Sequence, residues 1–504
     1  MRKISKAIDR KKISQFSNII EKNKNMNKKG YKEKSINKTK QNKVNYLNKL
    51  EKKLKYKDKT FNNSLKPKQI YKNNNIESYR GELKILLNII IIFLLISLTN
   101  ESLLFRKLNY INSIIITFKE TGRINFLSQG YQFKPDYVLV NGIERDFEQS
   151  IDGRFNILLN EDEFTIKVVW NAPPTSCSNM FNGIQEIKSI DLSEFDTSNV
   201  SDMSFMFSEC INLEELNLKN LKISSVTSLA SMFKSCINLK EIDLSNLDAS
   251  SVTTMSGMFS SCTSLTYINF SNIKLGSLKD MSYLFNQCES LSRINLSNLN
   301  TETVETMSHM FSGCQQLKSL DLSDFDTSSV MNMEEMFSSN YLLESLDLSN
   351  FNTQSLKSMK RMFFECQNLI FLELSNLDTS SVVDMSEVFN GCRSLVYLNI
   401  SNFRTTKNTL TNGLFKNCGN LKSLILPSEI KLLSKNMKYM FQGCKSLTSL
   451  DLSHFDTSSV TIMESMFSDC IELAYINISD INTSSVTSMK YMFKNCKKLE
   501  RMDL

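Results

Sequence analysis

Cysteine recurs at 210, 236, 262, 288, 314, 366, 392, 418, 444, 470 and 496, always 26 residues from the last except for one gap of 52 whose midpoint, position 340, is Asn. One step before Cys210 the register falls on Ile184, which follows Met180-Phe181 as Cys210 follows Met206-Phe207, so 13 registers run through 184–504. A unit of this size cannot bury an apolar face alone, so neighbouring units must stack. The period therefore predicts a solenoid with one continuous core rather than a globule.

In the unit that begins at Cys236, the alternation Ile242, Asp243, Leu244, Ser245 predicts a short strand with one buried face. Met255, Met258, Phe259 and Cys262 follow at i, i+3, i+4 and i+7, which predicts a stripe along a short helix with Ser250 or Ser251 as its N-cap. The cysteine column reads as buried free thiols, because Ile184 and Asn340 share its register and stacked side chains point in parallel rather than at one another. Cys177 lies outside that register and is expected to be the odd, reactive thiol.

Upstream of the repeat the charge changes sign. Residues 1–84 carry 26 Lys and Arg against 7 Asp and Glu, a net of +19, whereas the whole chain carries +7, which leaves −12 for 85–504. This Lys/Asn-rich stretch has no helical or strand period and reads as a disordered basic tail. A solvated tail is its simplest role; an anionic lipid surface is the partner its charge suits, and nucleic acid is disfavoured because no aromatic-rich recognition module accompanies it. Residues 85–100 (ILLNIIIIFLLISLTN) are uncharged and predict a short transmembrane signal anchor, with Lys84 snorkelling, the N-terminus cytoplasmic and the solenoid extracellular or luminal. Residues 101–183 predict a β-rich N-terminal cap module: Ile114–Phe118 is strand-like, Asn141-Gly142 joins Tyr137–Val140 to Ile143 in a hairpin, and Phe164, Ile166, Val168 and Trp170 alternate onto one face. Pro173-Pro174 closes the module.

The repeat L-x-x-L-x-L-S-N-[FL]-D-T-S-S-V-x-x-M-x-x-M-F-x-x-C, as in Leu317–Phe337 and Leu447–Cys470, closely resembles the 26-residue leucine-rich repeats of BspA-like surface proteins of bacteria and some protists. Leu247, Phe325 and Phe351 stand where ordinary leucine-rich repeats place a ladder Asn, a feature that the BspA-like class shares. The resemblance implies an α/β leucine-rich-repeat solenoid displayed on a cell surface, with adhesion or host-matrix binding as its activity. The fold expected for the whole chain is this solenoid, strand plus short helix in each coil, behind the β-rich module, a single membrane helix and the basic tail. Leu504 follows directly on the strand of the last unit, and no C-terminal cap is visible.

Two outward-facing columns are candidate contact surfaces. One runs through Asp191, Asn217, Asp243, Asn269, Asn295, Asp321, Asp347, Glu373, Asn399, Ile425, Asp451, Asn477 and Asp503. Stacking of Asp321, Asp347 and Glu373 at strand spacing points to a solvated acidic ladder, with a weak Ca²⁺ or basic-ligand site as the alternative. The other column carries Tyr267, Arg293, Phe371, Tyr397, Tyr475 and Arg501 among serines, and aromatics with Arg are what protein interfaces favour. Asn100, Asn199, Asn269, Asn295, Asn399, Asn477 and Asn482 each begin an N-x-[ST] glycosylation sequon.

No catalytic constellation emerges: His309 and His454 fall in different units, and no phosphate loop, zinc spacing or carboxylate dyad stands out from the repeat. The sequence thus predicts a non-enzymatic protein without cofactor or metal, whose partner is a protein or the extracellular matrix. The alternative is an intracellular leucine-rich scaffold tethered to anionic membrane or nucleic acid by its basic tail.

Overall fold

Between residues 113 and 169 short runs of β-branched and aromatic residues are separated by Gly, Asn and Asp, and a computed structural model of the chain turns them into seven strands. It describes residues 112–503, apart from 375, 406–408, 428–431 and 454. The basic tail 1–84, the apolar segment 85–100 and His454 lie outside the described residues. The strands are β1 (Ser113–Phe118), β2 (Gly122–Leu127), β3 (Tyr137–Val140), β4 (Ile143–Arg145), β5 (Glu148–Gln149), β6 (Phe155–Leu159) and β7 (Thr165–Val169). Antiparallel pairing orders one sheet β4-β3-β7-β1 and a smaller one β2-β6-β5. Asn141 and Gly142 join β3 to β4 with φ of 51° and 77°, both left-handed, as a two-residue hairpin turn of matching twist requires. Ile166, Val168 and Trp170 are buried, whereas Phe164 is exposed just before β7 begins.

β1 also pairs antiparallel with β8 (Ile187–Asp191), the first strand of the repeat, placing Ile116 opposite Ile190. This covers an edge that would otherwise present unpaired N–H and C=O groups. Trp170 packs edge-on to Phe195 at 5.6 Å and strengthens the junction. From β8 onward the strands pair in parallel, and all but Leu432–Leu433 with Phe455–Asp456 join copies one period apart: β8 with β9 (Glu215–Asn217), then Glu241–Asp243 with Tyr267–Asn269 and Arg293–Asn295, Ser345–Asp347 with Phe371–Glu373, and Ser449–Asp451 with Tyr475–Asn477 and Arg501–Asp503.

The described residues contain no helix, so the expected α/β leucine-rich-repeat solenoid, with a short helix in every coil, is corrected to a β-solenoid. In the Met-x-x-Met-Phe-x-x-Cys segment the backbone bonds run elsewhere. Phe207 N donates to Met232 O and Phe233 N to Met258 O, both at 2.8 Å, crossing to the next coil. The intervening groups close four-residue turns, Met206 N on Met203 O and Cys210 N on Phe207 O. Each turn needs a left-handed residue, found at Phe205 (φ 56°) and Glu209 (φ 60°) and again at Ser231 and Ser235. A right-handed helix holds no such residue. A four-residue turn repeat and a 3.6-residue helix both bring i, i+3, i+4 and i+7 to one side, so apolar spacing suits either. The distinguishing signal was Gly immediately before the cysteine at 313, 391 and 443, each with positive φ.

The single-pass membrane localisation is corrected as well: no helix among the described residues is long and apolar enough to cross a membrane.

Side chains stack as the backbone does. Phe181, Phe207, Phe233 and their copies through Phe493 form a column of offset-stacked rings with neighbouring centroids 5.2–6.0 Å apart. Beside it the cysteines are free. Each thiol donates to the Phe carbonyl of the preceding coil, as Cys210 to Phe181 O at 3.2 Å and Cys236 to Phe207 O at 3.0 Å. Burial pushes the thiols of Cys262 and Cys366 up to about 12. Cys177 is also fully buried and its thiol is pushed up by desolvation, which corrects the expectation of a reactive group there.

The exception at 340 follows from the same bonds. Asn340 Nδ2 donates to Phe311 O at 3.0 Å, which is the cysteine's role, and to Phe337 O at 2.7 Å, but its buried Oδ1 has no partner. Ile184 opens the column without a preceding coil. Asn340→Leu is therefore expected to cost about 1–3 kcal/mol through the lost donors, and Asn340→Cys to match or exceed the parent because it also removes the orphaned oxygen. Urea midpoints followed by circular dichroism check this; a leucine variant as stable as the parent would remove the donor role assigned to the column.

Candidate binding surface

The Asp/Asn column of the strand face is built for turn formation. Asp243 Oδ1 accepts from Ser245 N at 2.8 Å, Asp321 from Ser323 N at 3.0 Å and Asp347 from Ser349 N at 2.9 Å. Asn269, Asn295, Asn399 and Asn477 accept in the same way from Ser271, Ser297, Ser401 and Ser479. A short side chain accepting from the N–H two residues on is an Asx turn, which only Asp and Asn form well. Asp196, Asp248, Asp326, Asp378, Asp456 and Asn482 repeat the device where the chain next bends. The Ser245 N–H holds the Asp243 carboxyl below the usual carboxylate range; the hydroxyl and N–H of Ser323 do so for Asp321, and those of Ser328 for Asp326.

This accounts for most of the acidic ladder without a ligand. Asp347 and Glu373 stand opposite each other in register, yet the Asp321 and Asp347 carboxylates each serve their own turn. Among the described residues no group of three or more His, Cys, Asp or Glu side chains is placed to hold a metal ion. Most of the sequons recur for the same reason, since Asn269, Asn295, Asn399, Asn477 and Asn482 are turn acceptors; Asn477 Nδ2 also donates to Asp451 Oδ1 at 3.0 Å. Asn199 is exposed and stands outside the two turn columns, and Asn100 lies outside the described residues.

The aromatic and Arg column is different in kind. The Arg293 guanidinium lies 5.1 Å from the centre of the Tyr267 ring one coil earlier, and Arg501 lies 5.2 Å from Tyr475. Tyr475 is tied further, its hydroxyl donating to Asp503 Oδ2 at 2.7 Å. Phe371 and Tyr397, in adjacent coils, are 56% and 51% exposed. Beside them stand Ile370 and Val396, 59% and 41% exposed, which the sequence analysis missed because it followed only alternate strand positions. The signal was available: other coils place Lys188, Glu214, Lys240, Lys318, Glu344, Lys422 or Glu500 at that register.

On the turn face Tyr283 stacks on His309 at 4.5 Å, His309 Nδ1 lies 3.5 Å from Glu335 Oε2, and Arg361 bridges Glu335 and Glu387 at 3.5 and 2.6 Å. His309 is thus one member of an inter-coil ladder of aromatic, carboxylate and guanidinium side chains.

The family described as "Mycoplasma protein of unknown function, DUF285" matches at residues 175–294, 279–373, 346–431 and 432–503. No curated protein matches the chain. Among solved structures, similarity extends to a leucine-rich cell surface protein from Faecalibacterium prausnitzii (18% identity over 65% of this chain and 75% of that one, TM-score 0.27), a leucine-rich-repeat protein from Eubacterium ventriosum (17%, 57% and 77%, TM-score 0.25) and an internalin from Listeria monocytogenes (13%, 61% and 81%, TM-score 0.23). At such low TM-scores nothing about a ligand follows from these likenesses.

The Asx carboxylates set an acid limit. A folded-state pKa below the unfolded value near 3.9 contributes stability that is present above about pH 4 and is lost as pH falls through the folded value. Thermal midpoints are expected to hold from pH 7 to 5 and to drop below about pH 4. Asp243→Asn with Asp326→Asn should keep both turns at pH 7 and flatten that acid drop, whereas the two alanine changes should lower the midpoint at every pH; an unflattened profile in the asparagine variant would remove the carboxylates as its source.

Proposed function

The chain belongs to the DUF285 family, and from that premise we propose that it is a non-enzymatic, BspA-like binding protein whose solenoid holds a protein or extracellular-matrix ligand on its strand face. The observation that carries this reading is a division of labour among the outward columns. The Asp and Asn positions are fixed by turns, and the Met, Phe and Cys positions by the core. The column through Tyr267, Arg293, Phe371 and Tyr397 sits on rigid strands where the fold asks only for a residue that tolerates β geometry. Serine suffices at Ser345, Ser423 and Ser449, yet Phe371 and Tyr397 stand between Ser345 and Ser423, and Tyr267 and Arg293 occupy the same column in earlier coils. Such side chains, displayed from a stiff scaffold at strand spacing, are what protein interfaces concentrate.

Surface-plasmon measurements of the full chain over immobilised fibronectin, laminin and collagen test the reading. Saturable binding to at least one is expected, weakened about tenfold or more by the combined change Tyr267→Ala, Arg293→Ala and Tyr397→Ala at unchanged thermal midpoint. Absence of binding to all three, or binding indifferent to the triple change, would reject it.

A further inference from the structure

Exposed apolar side chains are not spread evenly along the strand face. At the two outward positions before each buried strand residue, the other described coils carry at least one small or polar residue: Lys188 with Ser189, Glu214 with Glu215, Lys240 with Glu241, Lys318 with Ser319, Lys422 with Ser423. Only at Ile370-Phe371 and Val396-Tyr397 are both large and apolar, and these two coils are adjacent. The four side chains are each more than two-fifths exposed and form one patch in the middle of the solenoid. Burying them would not help the fold, since Leu372 and Leu398 beneath them already fill the core. Contiguous exposed apolar surface of this kind marks a site of macromolecular contact.

Charge around the patch is one-sided. Glu344, whose carbonyl accepts the Ile370 N–H at 2.9 Å, is exposed one coil before the patch, and Asp347 is exposed on the same strand face. Glu373 stands two residues beyond Phe371 on its own strand, opposite Asp347. Across the patch Lys422 is the cation of the following coil, its N–H bonded to Val396 O at 2.9 Å. Three carboxylates thus border the apolar area on one flank and one ammonium on the other. We propose that the patch Ile370, Phe371, Val396 and Tyr397 docks a protein segment in which aromatic or aliphatic side chains adjoin lysine or arginine, the apolar groups covering the patch and the cations meeting Glu344, Asp347 and Glu373. This rests on the strand-face reading given above and names the partner chemistry. Apolar contact supplies the affinity, and the carboxylate rim supplies orientation and sign.

The probe is a short labelled peptide alternating lysine and tryptophan, titrated with the full chain by fluorescence anisotropy, beside control peptides in which glutamate replaces lysine or serine replaces tryptophan. The lysine-tryptophan peptide is expected to bind at least about tenfold tighter than either control. Phe371→Ser with Tyr397→Ser should abolish that preference, Glu344→Lys should weaken it, and Lys240→Ser with Glu241→Ser, exposed on the same face in a remote coil, should leave it unchanged. All these positions are exposed or half-buried, and an unchanged thermal midpoint confirms that each variant folds. Equal binding of the glutamate control, or parent-like binding by the Phe371/Tyr397 variant, would overturn the proposal. So would sedimentation showing that the chain self-associates and that Phe371→Ser abolishes it, because the patch would then be covered by a second copy. Peptide binding absent while matrix binding persists through Tyr267 and Arg293 would remove this inference and leave the strand-face reading intact.

Discussion

No coil of this solenoid satisfies its own backbone. In the Met-Phe-Cys segment alternate N–H groups cross to the carbonyls of the next coil, and on the strand face whole residues pair with their copies 26 positions on. A buried amide without a partner costs about 1–3 kcal/mol, so an isolated coil would carry that penalty several times over. Exact conservation of length follows from this. One residue inserted within a strand would shift that coil's donors off their acceptors in the neighbouring coil and turn the strand's buried side chains outward. Closure at the first coil obeys the same constraint, because β1 supplies in antiparallel form the pairing that a preceding coil would have supplied in parallel.

Polar side chains extend the constraint from backbone to sequence. Thr197 is fully buried and both donates to Lys222 O at 2.7 Å and accepts from Lys222 N at 2.8 Å, and Thr327 and Thr379 do the same one coil on from themselves. Cysteine serves as a small apolar filler that carries one weak donor, which is why an amide can replace it at 340. The conserved-looking grammar of the repeat, Asp-Thr-Ser-Ser and Met-Phe-x-x-Cys, is therefore a record of hydrogen bonds between coils. What remains unconstrained is a narrow set of outward strand positions, and only there can one coil differ from the next at little cost.

The stacking, the buried faces and the hairpin at Asn141-Gly142 were legible in the sequence because period, alternation and turn chemistry each map onto one structure. The helix was not, because four-residue turns and α-helix share the same apolar spacing, and glycines at the left-handed positions, before the cysteine and at Gly257 and Gly413, were the local marks that separated them. The acidic column was read as surface charge for a related reason. Carboxylates at strand spacing look like a ladder of like charges unless the serine two residues on is counted as a donor. Ile370 and Val396 escaped notice because strict alternation assigns a single outward row, whereas the short strands here begin one residue late and leave a second row exposed.

Where the repeat departs from its own rule, the departure is compensated locally. Thr411 takes the position of Met385 and Met437, and Ser434 that of Val382 and Val460, so two polar groups enter the core in neighbouring coils. Their hydroxyls meet at 2.7 Å, and Thr411 also donates to Asn436 O. Ser434 Oγ accepts from Asn436 N at 3.2 Å as well, so the two hydroxyls and the Asn436 backbone form one buried network that leaves neither hydroxyl without a partner. A substitution in one coil is thus tolerated when the adjacent coil changes with it. The same adjacency governs the exposed patch: Ile370-Phe371 and Val396-Tyr397 alter two consecutive coils together, and because a partner must span at least two strands to gain useful area, paired change is what builds a surface on a scaffold whose coils are otherwise alike.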